Sequence, residues 1–233
     1  MGIANCALKS SVFIIILISI TTKQHSMYNQ NLYNQTDLFS NTSILANSWS
    51  NIEGLLYVEN FITTDEQNEL IQLIDNEVWL DDLKRRVQHY GYKYDYKARK
   101  IDASMQLGEL PIWLENIGER LCKQGIFIEK PDQVIINEYM AGQGIAAHID
   151  CEPCFEDTIV SLSLLSPVVM DFTHKTTDEK IPVLLQPKSI VVLKSESRYD
   201  WKHGIAARQY DKLNGQIFKR SRRISLTFRR VIL

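Results

Sequence analysis

The chain is 233 residues long, carries a formal net charge of −2 and contains four cysteines. So even a balance argues against binding nucleic acid through bulk charge, and any such recognition has to be local. Four cysteines do not make a disulfide framework in a chain this long, and about 180 residues beyond the N-terminal segment suffice for one domain with a sizeable core.

Residues 1–50 stand apart from the rest. Val12 to Ile20 is continuously apolar apart from Ser19 and follows Lys9. This resembles a signal-peptide core but is shorter than a membrane span of roughly 20 residues, and no clean small-x-small cleavage site follows. Met1-Gly2 begins a myristoylation pattern that fails at Cys6, where Ser or Thr is expected. Residues 26–50 are rich in Asn, Ser, Thr and Gln and read as a flexible linker. Asn34-Gln35-Thr36 and Asn41-Thr42-Ser43 match glycosylation sequons, which such a composition produces easily by chance.

From residue 51 onward the pattern is that of a folded domain, expected to run to residue 233. A helix is predicted from Thr63 or Thr64 to about Asp75, with Thr63 and Glu66 in capping-box spacing. The run Leu83-Lys84-Arg85-Arg86-Val87-Gln88-His89-Tyr90-Gly91-Tyr92-Lys93-Tyr94 interleaves cations with aromatic rings. It could hold phosphates and stack bases, or be an exposed hairpin strand with solvated lysines. Pro111 opens a second helix to about Gln124, with Gly125 at its end. Short strands are predicted over Asp132 to Tyr139, Thr158 to Ser163, Val168 to Phe172, Pro182 to Leu185, Ser189 to Leu193 and Arg222 to Val231. Gly, Pro and polar turns separate them, and no repeat is apparent. The class is α+β, mainly β: a double-sheet jelly roll with N-terminal helices.

His148-Ile149-Asp150 with the distant His203 supplies two imidazoles and a carboxylate, the set that holds non-heme Fe(II) on one face and leaves the opposite face open. In an extended segment residues two apart share a side, so one short strand can present both His148 and Asp150. His203 must be brought in by the fold. Taken alone, such a trio is more often no metal site at all. Arg223-Ile224-Ser225-Leu226-Thr227-Phe228-Arg229 adds weight. Its two arginines share a strand face with Ser225 and Thr227, opposite Ile224, Leu226 and Phe228. A pair of arginines suits the two ends of a small dicarboxylate. The strand spans roughly 20 Å, so the two side chains must lean together, Arg223 on the far carboxylate and Arg229 nearer the metal. For Lys219 to Arg222 a solvated basic edge is the better reading.

The segments Asn137-Glu138-Tyr139 to His148, Phe155-Glu156-Asp157 with Ile159 to Leu164, and Ser197-Arg198-Tyr199-Asp200-Trp201-Lys202-His203-Gly204-Ile205 resemble the AlkB family of nucleic-acid oxygenases. The resemblance covers about residue 51 to the end. From Lys130-Pro131-Asp132-Gln133 to Val169-Met170-Asp171-Phe172 it is to the branch that modifies wobble uridines in tRNA. It implies iron held by His148, Asp150 and His203, and 2-oxoglutarate held by Arg223, Arg229, Asn137 and Tyr139. Asn137 and Tyr139 are two apart on the apolar strand Val134 to Tyr139, so both can face the metal pocket. It further implies decarboxylation to succinate coupled to hydroxylation of a C–H bond, with O2 as co-substrate. The target base must be flipped out or already in a loop. The region around Arg86 and Tyr90 would form a lid over it.

The substrate divides the evidence. Similarity favours a modified tRNA wobble uridine, although this sequence shows none of the RNA-recognition or methyltransferase modules attached in that branch. Glu152 points instead to repair members, whose acidic residue at that place contacts an N-methylated base; a glutamate facing water is the bland alternative. An oxygenase acting on protein and an idle binding module are the competing classes. Cys151-Glu152-Pro153-Cys154 directly follows Asp150. Loop residues that happen to be cysteines are expected over a redox or second metal site, though close to iron they would be oxidation targets. A supply of Fe(II) and 2-oxoglutarate favours an intracellular enzyme, in cytoplasm or nucleus, with a dispensable tail. The alternative is a signal or anchor giving weak membrane association through residues 12–20. Oligomeric state is not legible.

Overall fold

The computed structural model describes residues 51–81 and 83–233. The apolar segment, the myristoylation pattern and the linker sequons lie outside the described residues. Among these residues no helix is long and apolar enough to cross a membrane.

The elements run β1 (Leu55–Val58), α1 (Thr64–Asp75), β2 (Arg86–Tyr90), α2 (Ile112–Lys123), β3 (Gln133–Tyr139), β4 (Ile145–His148), β5 (Ile159–Leu165), β6 (Val168–His174), β7 (Lys180–Leu185), β8 (Ile190–Leu193), α3 (Ser195–Tyr199), β9 (Trp201–Ile205), β10 (Tyr210–Leu213), β11 (Gln216–Lys219) and β12 (Arg223–Arg229). Both predicted helices form because their end signals are local. The Glu66 amide donates to Thr63 Oγ1 at 3.1 Å, and the Thr63 amide donates to Glu66 Oε2 at 2.7 Å, closing the capping box. Pro111 takes the N-cap of α2, and Gly125 follows its end at φ +70°. Leu114, Ile117 and Leu121, spaced to fall on one side of α2, are buried.

Two antiparallel sheets make the jelly roll. One is ordered β1-β8-β5-β12-β3-β2, the other β4-β9-β6-β7. The first sheet separates two apolar layers. Outside it, Leu70 and Ile74 of α1 and Leu114 and Leu121 of α2 pack with Ile136, Leu162, Leu226 and Phe228. Inside, between the sheets, Tyr139, Ile159, Val191 and Leu193 meet Met170, Phe172, Val183 and Ile205. Alternation along each strand divides its side chains between these layers, so the inner polar ones collect in the barrel. Beyond the predicted strands the structure adds β1, β2, β4, β9 and the β10–β11 hairpin. The hairpin's Asn214-Gly215 turn has both residues at positive φ, the geometry a two-residue hairpin favours. Asp211, fully buried at its base, accepts from Arg220 and Arg208.

Candidate active site

Strand pairing builds the metal cluster. β4 runs antiparallel to β9, and His148 and His203 are direct partners across that pair, their rings 4.4 Å apart between centroids. Gly204 lets the strands come this close, since a Cβ there would sit 2.8 Å from Ala147 Cα. Asp150 lies just past the end of β4 rather than within it, in the loop that follows. One ligand atom from each of His148, Asp150 and His203 falls within 4.8 Å of the others. The His148 ring carries its proton on Nδ1, which faces the Ala146 carbonyl 2.8 Å away, and this leaves Nε2 with a free lone pair for metal. Burial pushes the His203 imidazolium down to about 3, helped by His148 alongside, so the ring is neutral and able to ligate. Burial would raise the Asp150 carboxyl, but Arg229, His203 and His148 outweigh it and hold the group well below the usual carboxylate range. Asp150 Oδ2 and His203 Nδ1 are buried without a hydrogen-bond partner. Unsatisfied buried polar atoms of this kind are costly, and a divalent cation at the centre of the trio would satisfy the Asp150 carboxylate.

Strand β12 supplies the basic side of the pocket. Arg223, Ser225, Thr227 and Arg229 all line one cavity of about 370 Å³, together with the metal cluster, Asn137, Tyr139, Ser161 and Met170. That volume is within the range of about 300–1,000 Å³ usual for small-ligand sites. Arg229 donates to Asp150 Oδ1 at 2.7 Å and, more weakly, to Gln133 at 3.3 Å, which places it beside the metal cluster. Arg223 differs. Its guanidinium is 3% exposed, donates to Ser163 Oγ at 2.8 Å and has no carboxylate partner among the described residues. Burial pulls it down to about 10, still charged at neutral pH. A buried cation without its anion is a site that a ligand's carboxylate completes. The Tyr139 ring lies between two guanidinium groups, 5.5 Å from Arg223 and 5.6 Å from Arg85.

At the mouth the structure redistributes the predicted lid residues. β2 pairs with β3 so that Arg86 faces Glu138 and Tyr90 faces Val134, on the outer side of the sheet. There Arg86 donates to the buried Glu138 at 2.5 and 2.8 Å and stacks 4.9 Å over Trp79. Tyr90 packs edge-on against Trp113 of α2. Neither lines the cavity, and neither does Glu152, which is exposed in a short 3-10 turn. The cavity is walled instead by Leu83, Arg85, Tyr94, Tyr96 and Arg99 from the same region. Arg85 donates to Asn137 Oδ1 at 2.8 Å, and the Tyr96 hydroxyl is buried without a partner. Parity explains the exchange: in Arg85-Arg86 one residue of the pair must face in and the other out, and only the β2–β3 register decides which.

Two further features of the Asp150 loop were not legible. Arg198, 1% exposed, donates to the backbone carbonyls of Asp150 and Cys151 at 3.0 and 3.2 Å and so clamps the loop from α3. Nothing in its Ser197-to-Tyr199 surroundings marks it as buried. Cys151 and Cys154, expected as unlinked loop residues, form a disulfide. Their separation of three residues is what lets the turn bring the two sulfurs together.

Residues 78–229 match the 2OG-Fe(II) oxygenase superfamily. An Alkylated DNA repair protein ALKBH8 homolog of Arabidopsis thaliana is 37% identical over 210 residues, covering 80% of this chain and 61% of its own. A tRNA (carboxymethyluridine(34)-5-O)-methyltransferase ALKBH8 of Mus musculus is 39% identical over 205 residues, covering 76% of this chain but 30% of its own length. This chain therefore spans only part of these curated relatives. The solved structure of OsALKBH1 superposes with a TM-score of 0.60 at 17% identity, over 76% of this chain and 96% of that one, a likeness of fold.

Proposed function

The chain belongs to the 2OG-Fe(II) oxygenase superfamily, and from that premise we propose that it hydroxylates a substituent on a nucleobase, in the first instance a modified wobble uridine of tRNA. Bound at His148, Asp150 and His203, Fe(II) supplies O2 activation coupled to the decarboxylation of 2-oxoglutarate to succinate. The chain's own residues bind and orient. Arg223, positioned by Ser163, would hold the far carboxylate. Arg229 fixes Asp150 Oδ1 and leaves Oδ2 on the His203 side, where it would ligate the metal, and Asn137 and Tyr139 line the cavity with the two arginines. Apolar neighbours such as Met170, Val191 and Ile205 keep bulk water from the reacting centre.

The observation that carries the substrate class is the mouth of the cavity. Tyr94 and Tyr96, with ring centroids 5.0 Å apart, stand with Arg85 and Arg99 on the same cavity as the metal cluster. Aromatic faces beside guanidinium groups are what an extruded base and its phosphates need. Similarity to the ALKBH8 relatives supports the uridine. The partly different name of the Arabidopsis relative keeps oxidative demethylation of an N-alkylated base as the second reading, although the exposed Glu152 stands outside the cavity and gives it no support.

One incubation separates the readings. The full chain with Fe(II), 2-oxoglutarate and ascorbate is given total tRNA, or methylated DNA and RNA oligonucleotides, and nucleosides are analysed by mass spectrometry. Gain of one oxygen on a modified uridine is the expected result. Loss of a methyl from 1-methyladenine or 3-methylcytosine with release of formaldehyde establishes the demethylase. Succinate formed on protein extracts alone, with every nucleoside unchanged, overturns both.

A further inference from the structure

The Cys151–Cys154 disulfide has no part in the chemistry above, yet it closes the turn that begins at the residue after Asp150. This turn is otherwise well held. The Cys154 amide donates to the Cys151 carbonyl at 3.2 Å, Arg198 holds the carbonyls of Asp150 and Cys151, and the Ile232 amide donates to Cys154 O at 2.9 Å. The turn's shape therefore does not depend on the S–S bond, and breaking it leaves Asp150 in place.

What the bond does change lies on the other side. The Arg99 carbonyl sits 3.2 Å from Cys151 Sγ and 3.6 Å from Cys154 Sγ. Arg99 belongs to the turn Asp95–Lys100, held by the Asp95 amide on Lys100 O and by Asp95 Oδ1, which accepts from the Lys97 and Ala98 amides. Arg99 is part of the cavity wall. Sulfurs joined to each other carry no proton to give this carbonyl. Once the bond is broken the two sulfurs must move apart to van der Waals contact, and a thiol that stays beside the Arg99 carbonyl can then donate to it, as a weak donor.

We propose that Cys151 and Cys154 are a reversible thiol–disulfide site that sets how firmly the 93–101 segment is tied down over the active-site cavity. The reagent is a low-molecular-weight thiol. Cys151, unlike Cys154, lines the cavity, so the reagent enters there. Its thiolate attacks Cys151 Sγ, the intramolecular S–S bond breaks, and Cys154 leaves as a thiolate and takes up a proton. A second thiol then attacks the outer sulfur of the mixed disulfide, freeing Cys151 with its proton and releasing the small-molecule disulfide. Two electrons enter from two external thiols, and oxidation is the reverse. Because the route runs through the cavity, a bound ligand there shields the pair.

The test uses the full chain equilibrated across a series of reduced-to-oxidised glutathione ratios. Acid quenching, alkylation and peptide mass spectrometry report the thiol state, and hydrogen exchange of the peptide over residues 93–101 reports the tie. The expected result is that both cysteines become alkylatable together, and that exchange in this peptide slows about two- to threefold on reduction, the low end of what one hydrogen bond implies because the donor is a thiol. A Cys154→Ser chain, which cannot form the intramolecular bond, should lose the paired two-cysteine transition and show at most a mixed disulfide on Cys151. The wild-type comparison stands without it if that variant folds poorly. The proposal is overturned if the pair stays in one state at every ratio, or if the 93–101 peptide exchanges at the same rate in both states.

Discussion

On one side of β12, Ile224, Leu226 and Phe228 are fully buried among side chains of α1, α2 and β5; on the other, Arg223, Ser225, Thr227 and Arg229 line the cavity. The apolar side is complete, since every side chain there meets its neighbours. The polar side is not. Arg223 Nε, Arg229 Nε, Asp150 Oδ2 and His203 Nδ1 are all buried without hydrogen-bond partners. Groups in that condition cost stability, and a ligand bound in the cavity could offset part of that cost. Substitutions on the two sides should therefore act on different observables.

The largest expected effect is at the metal. His148→Ala should bring succinate formation below detection and remove iron from the purified protein, while the melting temperature of the metal-free chain stays within a few degrees. Iron retained at wild-type level would sink the assignment of the trio. On the opposite side of the sheet, Leu226→Ala should cost about 2–5 kcal/mol of stability in denaturant unfolding. Its KM for 2-oxoglutarate should remain that of the wild type. A shifted KM would mean that the two faces are coupled and the comparison is too simple. Arg223→Met comes next: the 2-oxoglutarate requirement should rise roughly 10- to 100-fold, since charge-assisted bonds are worth about 1.5–3 kcal/mol. The apo protein should melt no earlier than the wild type, because a buried unpaired charge has been removed. Earlier melting with an unchanged KM would make Arg223 a structural residue.

What could be read in the sequence was whatever its neighbours in the chain decide. The Thr63–Glu66 cap, the alternation of β12 and the His148–Asp150 pair are fixed within a few residues, and the first two stand in the fold as expected. The Asn214-Gly215 hairpin carried an equally local signal that sequence reading passed over. Nonlocal facts were closed to it. Nothing near His203 says that it will stand opposite His148, and nothing near Arg85 says that it, and not Arg86, will face the barrel. The arginine pair makes that parity testable. Arg85→Ala should weaken oligonucleotide binding more at low salt than at high salt, as loss of a cation at the mouth requires. Arg86→Ala should leave binding alone and lower stability by about 1–3 kcal/mol, since Glu138 is buried and keeps only Arg222 among the described residues. If Arg86→Ala proved the binding mutant, the β2–β3 register would have to shift by one residue.

The smallest effect belongs to a region that serves neither face. The Arg120 guanidinium, with the Thr63 amide, holds the Glu66 carboxyl down to about 2 from an ordinary value of 4.5. Because the folded group titrates below the unfolded one, its contribution is complete above about pH 4.5 and disappears as the pH falls towards 2. Both partners are partly exposed, so water screens the pair and the contribution should not exceed about 1 kcal/mol. Glu66→Gln should accordingly lower the melting temperature slightly near neutrality and converge on the wild type towards pH 2, flattening the profile across that acid window. An unchanged acid limb would show that the cap holds without the charge. The contrast with Arg223 then becomes one of burial: an exposed ion pair lends the fold little, whereas a guanidinium sealed in the barrel is worth little to the fold and much to the ligand it waits for.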